Sequence, residues 1–283
     1  MQKILMLVKT SRPISWINTA YPFAAGYLMM GGDIDARLIL GTAFFFIPYN
    51  LLMYGVNDVF DYESDIRNPR KGGVEGAVTA QSNHRLIIWV CLLLCMPFVI
   101  GLLILGSWLS NLTLIALLFF VVAYSAKYLR FKEIPVLDSL TSSIHFVGPL
   151  VYAYSLLGTS YIGWYVAAAF FLWGFASHAF GAVQDVIPDR QAGLRSIATI
   201  FGARVTVRIA TLLYLAASGM CILLGGYGTI IGIAGLSYVL TIIPFWFITD
   251  KDSDKANIGW KKFLLINYSM GALITICLIL IIK

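Results

Sequence analysis

Long apolar runs, separated by short loops that carry the charge, set the pattern of this chain. Nine runs can be drawn, at about 14–32, 38–57, 86–106, 110–126, 136–157, 161–183, 205–225, 228–248 and 263–282. Each approaches the roughly 20 residues that a helix needs to cross a bilayer's hydrocarbon core. Barrel strands are instead about 9–11 residues of alternating polarity. Lipid requires every spanning backbone group to be satisfied within helices or closed barrels. The pattern therefore predicts an all-α, polytopic membrane protein with nine transmembrane helices.

Composition agrees. Of 283 residues 59% are hydrophobic and 12% charged, against about 25% charged in soluble domains. The N-terminus reads as uncleaved, because its apolar stretch is short and no small-residue cleavage site follows before the first span. Cys91, Cys95, Cys221 and Cys277 all lie inside apolar runs, where small buried side chains are expected rather than disulfides or metal ligands.

Charge sets the orientation. All but two of the 20 Lys and Arg residues, Arg37 and Lys283, fall on the side that carries the N-terminus. The positive-inside rule places that side in the cytoplasm of a plasma-membrane protein. All but Asp33 and Asp35 of the 14 acids share it, which concentrates the chemistry on one face. The net charge of +6 follows from topology and attraction to anionic lipid. Basic residues spread over five loops with no recognition motif exclude nucleic acid as a partner.

Two places break the pattern. Asn57-Asp58-Val59-Phe60-Asp61-Tyr62-Glu63-Ser64-Asp65 closes the second run. One Asp at a bilayer centre costs roughly 2.5 to 3.5 kcal/mol, so acids persist there where they line a wet cavity or bind a cation. On a helix Asn57, Asp61 and Asp65 share a face over two turns, with Asp58 beside them. This is a ladder of hard oxygen donors suited to Mg²⁺. Asp185 and Asp189, again four apart, close the sixth run 124 residues beyond Asp61. That offset of four spans predicts two pseudo-repeated four-helix halves plus a ninth helix around a central cavity.

Two such ladders suit Mg²⁺ and, through it, a diphosphate. Arg67, Arg70, Lys71, Arg130 and Lys132 can neutralise further phosphate charge, and Lys71-Gly72-Gly73-Val74-Glu75-Gly76 reads as a phosphate-approaching turn or a plain flexible loop. Intramembrane acids also serve cation transport and proton relays. The repeated spacing favours a metal–diphosphate enzyme over a transporter. Pro188, between the acids of the second motif, predicts local distortion there.

Asn57-Asp58-x-x-Asp61-x-x-x-Asp65 and Asp185-x-x-x-Asp189, with the nine-span layout, resemble the two aspartate-rich motifs of the UbiA superfamily of intramembrane prenyltransferases. The resemblance covers nearly the whole chain and implies a single domain over 1–283. It also implies Asn57, Asp58, Asp61 and Asp65 on a first Mg²⁺, and Asp185 and Asp189 on a second. Tyr124-Ser125 with Leu129-Arg130-x-Lys132 is similar to a family loop whose Tyr and basic residues contact diphosphate. Ser11 to Pro22, Asn68-Pro69-Arg70-Lys71-Gly72 and Gly181-Ala182-Val183-Gln184-Asp185 resemble the lycopene elongase branch. That branch implies dimethylallyl diphosphate as donor and lycopene, an apolar polyene, as acceptor, giving C45 and C50 carotenoids. Another lipid or quinone-precursor acceptor is the alternative, although the Asn-Pro-Arg-Lys-Gly loop departs from the quinone-type pattern.

Catalysis is expected to rest on Asp58, Asp61, Asp185 and Asp189. For the acceptor pocket the candidates are the in-span polar residues Asn18 and Asn50, with Tyr54 and His178. His178 lies two turns before Asp185, placed to take a proton or orient water, or else to pack against a backbone carbonyl. Aromatic residues such as Trp16, Tyr21, Phe44, Phe45, Phe46, Tyr49, Trp173 and Phe180 can shield a cation or simply pack. Asp138 reads as structural, and Asp250 to Lys255 as a solvated linker.

Overall fold

The computed structural model describes residues 2–66, 79–158 and 161–282. Among them every regular element is helical. Eight helices are long and apolar enough to cross a membrane: Ala36–Phe60, Gln81–Leu105, Trp108–Ser125, Leu137–Leu157, Tyr161–Val183, Ile197–Leu223, Gly226–Phe245 and Asp250–Ile281. This is a multi-pass membrane protein. The ninth expected span, at 14–32, folds as the shorter helix α2, Trp16–Met29, of 14 residues. At about 1.5 Å per residue it is ~21 Å long, short of the roughly 30 Å core. Gly31 stops it in the left-handed region, at φ 79°. The Gly31 and Gly32 N–H groups then donate to Leu28 O and Tyr27 O, each at 3.0 Å, which closes the helix end.

Helix α1 (Gln2–Thr10) precedes α2. The second span is two helices, α3 (Ala36–Phe46) and α4 (Pro48–Phe60). Proline has no N–H to continue α3, so the turn before it has orphaned carbonyls. Asn50 supplies the donors: its amide reaches Phe45 O at 2.9 Å, Phe46 O at 3.0 Å and Thr19 Oγ1 at 2.7 Å. Asn50 is fully buried, and its bonds tie α4 to α3 and α2. Asn50→Ala is expected to lower stability by about 1–3 kcal/mol, the cost of unsatisfied buried polar groups. Thermal unfolding of the purified protein in detergent checks this.

Asp35 caps α3, accepting the Leu38 N–H at 3.0 Å. Burial pushes its carboxyl up, but the Leu38 N–H, Arg37 and the Tyr27 hydroxyl outweigh that and hold it below its usual value. The stabilisation is therefore present at neutral pH and is lost as pH falls through the lowered folded-state value.

After α4 come α5 (Tyr62–Asp65), α6 (His84–Leu105), α7 (Trp108–Ser125), α8 (Leu137–Leu157), α9 (Tyr161–Val183), α10 (Val186–Gln191), α11 (Ile197–Leu223), α12 (Gly226–Ile242) and α13 (Ala256–Ile282). The chain divides into two compact units: Met1–Phe131 with His145–Thr159, and Lys132–Ile144 with Ser160–Lys283. Two halves were expected, but the boundary falls inside α8 rather than in the loop before it. Packing explains this. From His145 onward α8 joins the first unit: the Tyr49 hydroxyl donates to His145 O at 3.0 Å, and Tyr152 stacks on Phe23. Before His145, α8 joins the second: Asp138 accepts the Ile197 N–H at 2.9 Å, and the Ser143 hydroxyl donates to Phe171 O at 2.7 Å.

The first unit is centred on Phe23, Phe44, Phe45, Tyr49 and Tyr152, all fully buried. Their ring centroids lie 5.0–5.9 Å apart. These aromatics, Phe44, Phe45 and Tyr49 among them, pack on one another. Gly41 gives Phe23 its room, since a Cβ there would overlap the ring. Close approach at small residues is how helices associate where lipid removes the hydrophobic drive. Cys91 and Cys95 donate to Leu51 O and Pro48 O on α4. In the second unit Trp260 and Phe263 stack at 4.8 Å and Tyr214 and Tyr238 at 5.3 Å, with Phe180 buried beside them.

Candidate active site

Both acidic motifs sit where a long helix breaks, and they break alike. Helix α4 ends at Phe60, and Asp61 adopts φ −98°, ψ −1°. Helix α9 ends at Val183, and Asp185 adopts φ −101°, ψ 0°. Both lie in the sparsely occupied bridge region between helix and strand conformations. In each case a short helix restarts at the next residue. The expected ladder therefore holds from Asn57 to Asp61, where the Asp61 N–H still donates to Asn57 O at 2.9 Å, and then turns a corner. Asp65 ends α5; its side chain lies outside the described residues, as do Arg67, Arg70, Lys71 and the glycine-rich stretch.

The second motif explains Pro188. The break at Gln184 and Asp185 lets α10 begin at Val186, which puts Pro188 in its first turn. A first-turn N–H has no intrahelical acceptor, so the proline costs α10 nothing. The Asp189 N–H donates to Asp185 O at 2.9 Å, and the four-residue spacing survives. The distortion expected from Pro188 lies upstream of it.

In the first unit the acids meet cations. Asp58 and Asp61 are only 2% and 3% exposed. Arg12 Nη2 donates to Asp58 Oδ1 at 3.0 Å, and its guanidinium lies 4.1 Å over the Tyr54 ring. Arg130 Nη2 stands 3.6 Å from Asp61 Oδ1, and its Nη1 donates to Phe60 O at 3.3 Å. The Ser125 hydroxyl donates to Asn57 Oδ1 at 2.8 Å. Tyr124, next to it, sets its ring edge-on to His145 at 5.0 Å. Helix α4 thus carries Asn57, Asp58 and Asp61 to one end, and the chain after α7 returns Ser125 and Arg130 to them. Asn18 is exposed on α2 and Tyr54 half-buried on α4.

Sequence reading missed two partners here. Arg12 and Ser125 were given no role of their own at the site, and their partners are 46 and 68 residues away. Arg12 carries one local signal. It stands between α1 and Pro13 in the left-handed region at φ 49°, which non-glycine residues seldom occupy.

In the second unit Asp185 and Asp189 are half-buried, as is Lys132. Arg190 next to Asp189 donates to Thr199 O at 2.9 Å and to Asp250 Oδ2 at 2.6 Å. Asp250 Oδ1 accepts the Ala203 N–H at 2.7 Å, where Gly202, at φ 79°, interrupts α11. The stretch Asp250 to Lys255, read as a solvated linker, therefore has an anchoring member in Asp250. Its outer part is as expected, with Asp252 and Lys255 paired and exposed. Asp138, read as structural, accepts the Ile197 N–H at the start of α11 at 2.9 Å. His178 meets the Ser139 hydroxyl at 3.0 Å through Nδ1.

Among the described residues, no three of His, Cys, Asp and Glu are gathered as a ready metal site. Mg²⁺ rarely asks for that, since it uses one or two carboxylates and completes its octahedron with water and phosphate oxygens. Asn57, Asp58 and Asp61 carry hard oxygen donors of the kind such an ion could use, and so do Asp185 and Asp189.

The UbiA prenyltransferase family model matches residues 19–268. The chain belongs to the UbiA prenyltransferase family. It is a prenyltransferase of the lycopene elongase branch. It is 52% identical over 283 residues to a lycopene elongase/hydratase of Corynebacterium glutamicum, covering 99% of both chains. It is 48% identical over 269 residues to the C50 β-cyclic carotenoid biosynthesis protein of Dietzia sp., covering 94% of this chain and 62% of that one. Solved structures share the UbiA fold. A homologue from Archaeoglobus fulgidus, solved with DMAPP and Mg²⁺, superposes with a TM-score of 0.68 at 17% identity over 93% of this chain and 98% of that one. A digeranylgeranylglyceryl phosphate synthase gives 0.70 at 16% identity over 99% and 98%.

Proposed function

We propose that this UbiA-family enzyme transfers a dimethylallyl (C5) group from its diphosphate to lycopene or a related polyene, with Mg²⁺ as cofactor. The carrying observation is the pairing of buried Asp58 and Asp61 with Arg12 and Arg130 at the end of an apolar helix. Full-length likeness to a protein named for lycopene elongation supports the acceptor. The whole chain, 1–283, acts as one domain, with its N-terminus and acidic motifs at the cytoplasmic face of the plasma membrane.

One ion is assigned to Asn57, Asp58, Asp61 and Asp65, and one to Asp185 and Asp189. Bound Mg²⁺ supplies positive charge against the oxygens of the departing diphosphate. Arg130, Tyr124, Lys132, Arg67, Arg70 and Lys71 bind those oxygens by charge-assisted hydrogen bonds. The C1–O bond of the donor breaks with its electron pair going to diphosphate. An acceptor double bond then attacks C1 and leaves a tertiary cation on the polyene. Asn18, Tyr54 and His178 are assigned to binding the acceptor, and Asn50 holds the kink that shapes α4. Apolar helix interiors exclude bulk water while the cation lives.

Purified protein with Mg²⁺, dimethylallyl diphosphate and lycopene is expected to release diphosphate. Chelation by EDTA stops the release and added Mg²⁺ restores it. Release that continues undiminished under chelation refutes the metal assignment, and no release under any condition refutes the transfer.

A further inference from the structure

We propose that Arg204 and Arg208 form a binding site for the phosphate headgroup of an anionic phospholipid. The site lies wholly in the second unit and does not depend on the transfer proposed above. Arginines elsewhere in the chain meet carboxylates: Arg12 meets Asp58, Arg37 meets Asp35 and Arg190 meets Asp250. Among the described residues Arg204 and Arg208 make no such pair. Aromatic residues hold them instead. The Arg208 guanidinium lies 5.2 Å from the centre of the Trp246 ring and 6.0 Å from that of Phe247. Its Nε is buried and meets no acceptor among the described residues. Arg204 Nη2 donates to Phe247 O at 3.4 Å.

Four residues apart on α11, the two arginines share a helix face. Each guanidinium is a planar fork of donors that matches phosphate oxygens. Stacking already restricts the side chains, which lowers the ordering cost that a ligand must offset. The nearby acid does not compete for them. Asp250 accepts from Arg190 through Oδ2 and from the Ala203 N–H through Oδ1.

The surroundings fit a lipid rather than a soluble anion. The span Gly226–Phe245 ends directly before Trp246, and aromatic residues mark the level where membrane meets water. Side chains on a helix lean towards its N-terminus. On α11 that lean carries the arginine heads towards the end that meets Trp246 and Phe247, while their stems stay on apolar surface. Beside them Val205, Leu212 and Phe247 are exposed, Phe247 by 74%. These side chains offer a surface to acyl chains and nothing to free phosphate. Helix α10, which carries Asp189, leads into the start of α11. The lipid therefore comes from the leaflet that borders the second acidic motif.

The test uses the purified full chain in detergent, where no charged membrane surface acts from a distance. Native mass spectrometry measures binding of phosphatidylglycerol and of phosphatidylcholine. Wild type is compared with the double variants Arg204→Gln/Arg208→Gln and Lys261→Gln/Lys262→Gln. Both doubles lose two charges, and Lys261 and Lys262 are exposed on α13. A hydrogen bond to a charged group is worth about tenfold or more. The arginine double is therefore expected to lose at least about tenfold in phosphatidylglycerol affinity, and the lysine double less than about threefold. Wild type is expected to prefer phosphatidylglycerol to phosphatidylcholine, and glycerol phosphate at equal concentration is expected not to displace the lipid. Thermal unfolding without lipid shows whether each variant is folded. If the glutamine double is not, Arg204→Lys/Arg208→Lys replaces it. That variant keeps both charges but loses the forks, and a several-fold loss is expected. Undiminished phosphatidylglycerol binding in the folded arginine variant overturns the proposal. So does an equal loss in the lysine double, equal binding of phosphatidylcholine by wild type, or displacement by glycerol phosphate.

Discussion

Asp61→Ala is expected to lower diphosphate release by about 10³-fold, with the folded state retained. The magnitude is that of removing one preorganised electrostatic group from a site where charge develops on a leaving oxygen. The main-chain bond that forms the corner, from the Asp61 N–H to Asn57 O at 2.9 Å, does not depend on the carboxylate. The facing Arg130 is 29% exposed and reaches water. The unfolding midpoint of Asp61→Ala should therefore stay close to that of wild type while activity disappears. Asp185, with the same backbone conformation in the second unit, is expected to respond in the same way. Full activity in either variant removes the metal–diphosphate role from that motif. A large fall in the midpoint together with activity shows that Asp61 is structural.

The second large effect is on stability. Arg12→Ala is expected to destabilise the protein by about 3–5 kcal/mol, the usual cost of removing one partner from a buried ion pair. The Asp58 side chain is fully buried and Arg12 is 18% exposed. Arg12 also covers the face of Tyr54, a contact of about 0.5–2 kcal/mol by itself. Arg12→Lys does not rescue it, because an ammonium cannot lie flat on the ring while reaching the carboxylate. Asp58→Asn in the Arg12→Ala background should recover part of the loss, since it removes the buried charge. Chemical unfolding of the four proteins closes the double-mutant cycle. An Arg12→Ala protein within 0.5 kcal/mol of wild type contradicts the pair's importance.

These two residues also show what sequence discloses. Asp61 was legible because a carboxylate at the end of an apolar run is costly, and because the same spacing recurs at Asp185. Hydrophobic period was enough to place eight spanning helices. The first run, 14–32, forms a helix of 14 residues, Trp16–Met29, because Pro13 to Ser15 make a separate turn before it and Gly31 and Gly32 close its end. The corner at Asp61 was not legible, because helical spacing looks the same whether or not the helix breaks at its last member. Pro188 did advertise a break, but a proline tolerates the first turn of a new helix as readily as it ends an old one. Arg12, Ser125 and Asp250 act through partners far away in the chain, which a single sequence does not pair. The unit boundary inside α8 is of the same kind. Local pattern says that Leu137–Leu157 is one helix, and only the packing of His145 and Tyr152 on one side, and of Asp138 and Ser143 on the other, divides it.

The most direct measurement is the pigment mass profile of a lycopene-accumulating bacterial host that expresses this chain. Addition of one or two C5 units, as alkene or alcohol, is the predicted result, with Asp61→Ala returning the host to unmodified lycopene. Lycopene left unchanged by a wild-type protein that is folded and in the membrane, with its donor present, would contradict the account.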